Sequence, residues 1–392
     1  MSEIKVNSIK GVGASVAALS IDNSDGTCTA NLTNKPNRNL IINGAMQCAQ
    51  YGSSSTANGY GSVDRIFVGY SGTDEAPTQA QADVAAGTTP YTLGFRKSYK
   101  ITNGNQTSGA GTSDRVTIEY RIEAQDIANS GWNYNSESSF VTFSYWVKSS
   151  VAQNFYNRFK SADSPQQAYA FETGSLSADT WTKITKTIPG NSNIVFNNDN
   201  GEGLSITWEI FRGTDNTGTR PLNAWAAASG TTRTPDQTST WYTTNDATFE
   251  ITGVQLEVGS VATDFEHRSF GDELARCQRY FYMHASGAED ASNSASVPIG
   301  LGYGYSSTSC FVVVKFPVTM RSNPTMFKAT GSNYFQFSHN GSNAYPDNVG
   351  NNRAATNSAE IYFDTNSSWT QNDGGMVRTN NSSARVGFSA EL

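Results

Sequence analysis

Charge is scarce in this chain. Only 16% of its 392 residues are Asp, Glu, Lys or Arg, and the formal net charge is −7. No run of Lys or Arg stands out, so the concentrated basic face that grips a nucleic-acid backbone is missing and no such partner is expected. No apolar stretch reaches the roughly 20 residues needed to span a bilayer, so membrane insertion is not expected either. Lys5 and Lys10 ahead of Gly11 to Leu19 imitate a signal peptide. Glu3 in the would-be basic part, and Gly, Ala and Ser in the apolar part, argue against that reading.

Histidine is almost absent. His267 lies in a polar stretch between predicted domains, His339 in an Asn-rich loop, and His284 completes the set; no pair has zinc-binding spacing, and no Gly-x-Ser-x-Gly elbow exists. The four cysteines, Cys28, Cys48, Cys277 and Cys310, are too dispersed for a disulfide framework or a zinc motif. They read as reduced, mostly buried thiols, and neither a metal nor a cofactor is expected. Asp199-Asn200-Gly201-Glu202 offers oxygen ligands for Ca²⁺, but Asn-Gly is more simply a hairpin turn. Asp22 to Gly26 fails the EF-hand pattern because Ile21 occupies the first ligand position.

What the chain does hold is Gly, Ser, Thr and Asn in long tracts, together with 20 Phe, 18 Tyr and 7 Trp. The polar tracts suit turns, and the aromatics can fill cores that a disordered chain could not build. Its length suits two or three domains.

Residues 1–38 read as a slender segment. Ile4 and Val6 alternate with polar neighbours, as do Leu19 and Ile21, and Asn23-Ser24-Asp25-Gly26 is a tight turn before Cys28, Ala30 and Leu32. So small a piece cannot bury enough surface alone and needs neighbours. Asn34 to Arg38 reads as a linker. From 39 to 268 strand follows strand. In Arg115 to Glu123, Val116, Ile118, Tyr120 and Ile122 make one face, and Arg115, Thr117, Glu119, Arg121 and Glu123 the other. Val141, Phe143, Tyr145 and Val147 repeat the pattern, as do Leu204, Ile206, Trp208 and Ile210. Phe249 and Ile251, then Val254, Leu256 and Val258 after Gly253, predict a strand broken by a bulge. About ten such strands point to a β-sandwich of jelly-roll type.

Residues 269–392 predict a second, smaller β-domain. Gly271 to Arg276 makes a helical turn, Cys277 to Ala285 is extended, and Phe311 to Phe316 is a buried strand. Short strands follow near Tyr334–Phe337, Ile361–Phe363 and Val386–Phe388, with Ser338 to Ala359 a polar loop. The fold class is therefore all-β: a small N-terminal segment, a jelly-roll sandwich and a C-terminal β-domain.

Several stretches resemble modules of bacteriophage tail-fibre and virion-fibre structural proteins. They are Asn39-Leu40-Ile41-Ile42-Asn43-Gly44-Ala45-Met46, then Ala49-Gln50-Tyr51-Gly52 and Asp64-Arg65, then Phe143 to Ser149, and finally Ile251 to Gly259, Ala262 to Glu266 and Glu273 to Phe281. Ser2 to Asn7 is similar to the starts of structural proteins from marine and cyanobacterial phages. In order, the matches cover roughly two thirds of the chain; Tyr51 stands where the family often has Arg. The resemblance implies a jelly roll similar to carbohydrate-binding modules, carried on a homotrimeric fibre assembled in the host bacterial cytoplasm into a virion. It also implies docking to other virion proteins through the N-terminus, for which Ile4, Val6, Ile9, Leu19 and Ile21 are the candidates, and adhesion to a host surface glycan or protein.

For glycan binding, sugar C–H faces need exposed aromatics flanked by hydrogen-bonding side chains. Trp225, Trp241, Tyr242, Tyr345 and Trp369 stand in polar loops and are the candidates, although a tryptophan equally caps a core or packs between subunits. No catalytic residue is expected. Glu119 and Glu123 on one strand would stand roughly 13 Å apart, beyond the roughly 5–9.5 Å of a glycosidase pair. The rival readings are a capsid-attached head fibre or decoration protein, a polysaccharide depolymerase, and, most distantly, a secreted bacterial glycan-binding protein.

Overall fold

The computed structural model describes residues 6–9, 12, 19–21, 24, 28–30, 37–289, 296–364 and 369–392. Two six-stranded antiparallel sheets form the main sandwich. One runs in the order Trp225–Ala227, Gln167–Ser175, Asn154–Ser161, Glu202–Arg212, Arg115–Glu123, Phe67–Ser71; the other Thr182–Pro189, Phe140–Ser149, Thr248–Val258, Lys97–Thr102, Thr78–Asp83, Ser54–Ser55. The alternation read from sequence is what closes it. Val141, Phe143, Tyr145 and Val147 face Val116, Ile118, Phe159, Leu204, Ile206 and Trp208 in one continuous core. The predicted bulge is present: the register slips between Thr252 and Gln255, with Gly253 at φ +61°.

A second core, built from residues beyond Ala285, lies between a three-stranded sheet (Phe281–Ser286, Arg385–Ser389, Thr325–Ala329) and a seven-stranded one containing Phe335–His339, Gly374–Thr379, Pro298–Gly304, Ser309–Lys315 and Ser358–Asp364. Here three expectations are corrected. Ser338 to Ala359 is not a polar loop, because Ser342–Ala344 and Asn348–Ala355 pair as strands of that sheet. Phe311 to Phe316 is buried on one face only: Cys310, Val312 and Val314 point inward while Val313 is 61% exposed. The short helix is longer than predicted, Phe270–Gln278, capped by the Ser269 hydroxyl accepting from the Asp272 N–H at 3.2 Å.

The two cores are fastened together. Tyr51 stacks on Phe281 at 3.6 Å, and Glu123 receives both Arg279 Nε and Nη2 at 2.8 Å as well as the Tyr280 hydroxyl. This buries Glu123, which sequence placed on a solvated face. Arg65 is 1% exposed; it pairs with Glu391, donates to the Arg121 carbonyl at 2.6 Å and lies 3.5 Å from the Tyr280 ring centre. Burial pulls its guanidinium down, but Glu391, Tyr120 and Tyr280 more than offset this, so it stays charged.

In the N-terminal segment, Ser8–Ile9, Leu19–Ile21 and Cys28–Ala30 form a three-stranded antiparallel sheet, so the two strands flanking the predicted turn do pair. Val6 (41%), Ile9 (51%) and Ile21 (36%) are exposed, Leu19 is half-buried, and Ile4 lies outside the described residues.

Candidate functional site

The outer face of the second sheet carries an aromatic cleft. Along Phe140–Ser149 the inward residues feed the core, while Ser144, Trp146 and Lys148 take the outward positions. A tryptophan on that face breaks the polar pattern. Register sets Trp146 between Lys183 on one neighbouring strand and Thr252 on the other. Next to Thr252 the Gly253 bulge opens the floor, and the Phe95 ring fills the space: a Cβ on Gly253 would stand 2.6 Å from it. Phe265 meets Phe95 edge-on at 4.9 Å, and His267 lies 4.9 Å from Phe265 and 5.2 Å from Phe95. His267 is pinned by Nε2, 2.9 Å from the Leu93 carbonyl.

These rings enclose a cleft of about 270 Å³, with Ser144 at its floor and exposed Lys183 and Asp264 among its lining. Beside it on the same face, Lys148 bridges to Glu250 at 2.9 Å and lies 5.2 Å from the Trp181 ring. Phe95 is itself buried, with Trp146 and Phe265 packed against it; the half-buried Trp146 and Phe265 rings, with an ammonium and a carboxylate around them, can stack on a sugar ring and bond its hydroxyls.

This is not where sequence placed the stacking residues. Trp241 and Tyr242 are 0% and 1% exposed; the indole donates to the Thr248 carbonyl at 3.0 Å, and Tyr242 stacks on Phe211 and donates to Asp114. Trp369 is also buried, packed edge-on against Phe337 with its indole donating to the Ser306 carbonyl at 2.7 Å. These three are core residues, because the polar stretches around them fold over hydrophobic neighbours. Trp225 is half-buried on the edge strand, donating to the Pro189 carbonyl at 2.7 Å, and Tyr345 alone of the five is exposed. None of the five lines the cleft. Trp146 was legible as an aromatic flanked by Ser144 and Lys148 among the outward residues of its strand. Phe95, Phe265 and His267 were not, since only the fold brings their loops together.

A second surface lies on the outer face of the seven-stranded sheet. Leu301 (77%), Val313 (61%), Tyr303 (47%) and Tyr305 (57%) are exposed, and Tyr305 stacks on Phe311 at 4.7 Å. Register pairs Tyr303 with Phe311 across two strands, so these side chains form one patch.

Three glutamates of the first sheet are held by arginines. Arg121 holds Glu119 at 3.0 Å and Glu202 at 3.5 Å, and Glu209 is clamped between Arg158 and Arg212. The candidate Ca²⁺ turn is also occupied: Asp199 accepts from the Gly201 N–H, and Asn200 exchanges bonds with Arg321. His339 is not in a loop; it is buried at a strand end with Nδ1 3.0 Å from Asp373.

No family model matches this chain. No curated protein matches it either. Among solved structures it is similar to the enzymatically active domain of tailspike protein 4 of bacteriophage CBA120, at 10% identity over 57% of this chain and 22% of that one, TM-score 0.30. It is also similar to a CBM4 module (15% identity, 56% of this chain, 99% of that one, TM-score 0.28). A putative sugar-binding protein from Bacteroides thetaiotaomicron matches at 10% identity over 56% of this chain and all of that one, TM-score 0.30.

Proposed function

We propose that this protein is a non-enzymatic virion fibre protein that adheres to a host-surface glycan through the cleft around Trp146. The observation that carries this reading is the convergence of Trp146, Phe95 and Phe265 on one outer sheet face beside Ser144, Lys183 and Asp264. A cleft of about 270 Å³ suits one pyranose unit better than an extended chain. The docking role goes to the N-terminal segment, whose Val6, Ile9 and Ile21 are exposed among the described residues. The apolar patch around Leu301 and Val313 supports contact with another chain, and we assign it to a subunit interface of the expected homotrimer.

The test is a glycan-array screen of the full chain followed by titration of the best hit. Trp146→Ala is expected to weaken binding at least about fivefold, from the roughly 1–3 kcal/mol that stacking on an aromatic supplies. Tyr345→Ala should bind as the parent does. Equal binding by parent and Trp146→Ala, with the fold intact by circular dichroism, would refute the site. Release of new reducing ends from host exopolysaccharide would favour the depolymerase reading instead.

A further inference from the structure

Two cysteines that lie far apart in the chain meet where the sandwich joins the C-terminal body. Cys48 sits in the opening loops, Cys277 in the last turn of the Phe270–Gln278 helix, and the Asp64 carboxylate stands beside both. One ligand atom from each lies within 4.8 Å of the others, and the three residues are 2%, 0% and 0% exposed. We propose that Cys48, Asp64 and Cys277 bind one thiophilic divalent cation of the zinc type, clamping the helix onto the sandwich.

Three observations carry this. The first is charge. Among the described residues no Lys, Arg or His forms an ion pair with Asp64, although its side chain is fully buried; Gln50 supplies only an N–H at 2.7 Å and an amide at 2.6 Å. A buried carboxylate is ordinarily matched by a cation or a metal. The neighbouring Arg65 guanidinium is paired with Glu391 instead.

The second is preorganisation. Asn43 accepts from the Cys48 N–H at 2.9 Å and donates to the Cys48 and Asp64 carbonyls at 2.8 and 3.0 Å, while its own N–H donates to Glu273 at 2.6 Å. One side chain thus fixes both loops, and its backbone holds the helix one turn before Cys277. Such outer contacts are what hold ligands in place at metal sites.

The third is position: Cys48, with Gln50, lines a surface depression of about 320 Å³ shared with Leu274 and Met283, so the cluster lies directly beneath the surface at one of its three ligands. Two thiolates with one carboxylate select zinc or cobalt over calcium and magnesium.

Co²⁺ titration of the metal-free, reduced full chain tests the site. One equivalent should produce a thiolate-to-cobalt charge-transfer band that Zn²⁺ abolishes. Cys48→Ser and Cys277→Ser should lose the band, Asp64→Asn should weaken binding at least about tenfold, and Cys310→Ser, in the separate C-terminal core, should keep it. Absence of the band in the parent, or its persistence in the double serine variant, overturns the proposal. Should the variants fail to fold, the parent decides alone: one equivalent of Zn²⁺ must raise its thermal midpoint and a chelator must reverse the rise. An unchanged midpoint overturns it too.

Discussion

Replacing Arg65 by methionine probes the joint between the two cores. Arg65 is 1% exposed, with its charge met by Glu391, by the Arg121 carbonyl and by the Tyr280 ring. Methionine keeps much of the volume and leaves the Glu391 carboxylate buried without its direct ion-pair partner, with only the more distant charges of Arg321 and Arg121 to offset it. Breaking one side of a buried pair costs about 3–5 kcal/mol, so Arg65→Met should lose that much in urea unfolding followed by tryptophan fluorescence. Glu391→Gln alone strands the guanidinium and should cost a comparable amount. The double variant buries no charge at this place and should lose at least about 2 kcal/mol less than the sum of the singles. Trp369 is the only tryptophan after residue 268, so a second, earlier transition on separation of the joint would be read mainly from the six in the sandwich. A loss under about 1 kcal/mol for Arg65→Met, or additivity in the double variant, would refute the account of the joint as an ionic lock.

Two further outcomes are expected. Leu301→Asp with Val313→Asp places two carboxylates in the exposed apolar patch; light scattering should report a trimer for the parent and a monomer for the variant, and a parent that is monomeric at micromolar concentration would dismiss the trimer. His284 donates from Nε2 to the Ile299 carbonyl at 2.7 Å, which leaves Nδ1 to accept from Tyr282 at 3.1 Å, so the fold holds it neutral. Burial lowers its pKa, with the Ile299 contact opposing. The unfolded chain therefore binds the extra proton first: this contribution is complete above about pH 6.5 and is lost as pH falls below it. His284→Gln should flatten that part of the stability-versus-pH curve, and an unchanged slope would count against the assignment.

The sequence by itself determined the class of fold and most of the main sandwich. Alternation at period two is a local property, so Arg115–Glu123, Phe140–Ser149 and the bulged Thr248–Val258 could be read directly, including the glycine where the register slips. It failed where polarity stopped reporting exposure. Asn-rich Ser338 to Ala359 is sheet, because backbone pairing and a few inward residues such as Ala344 and Val349 suffice to place it. Trp241, Tyr242 and Trp369 sit in polar stretches and are nevertheless core, since a large aromatic is buried by whichever neighbours fold over it. Only the tertiary structure decided which residues share a place. The aromatic cleft, the Arg65–Glu391 lock and the Cys48–Asp64–Cys277 cluster each join segments far apart in the chain, and no pattern confined to neighbouring residues can encode such a distance.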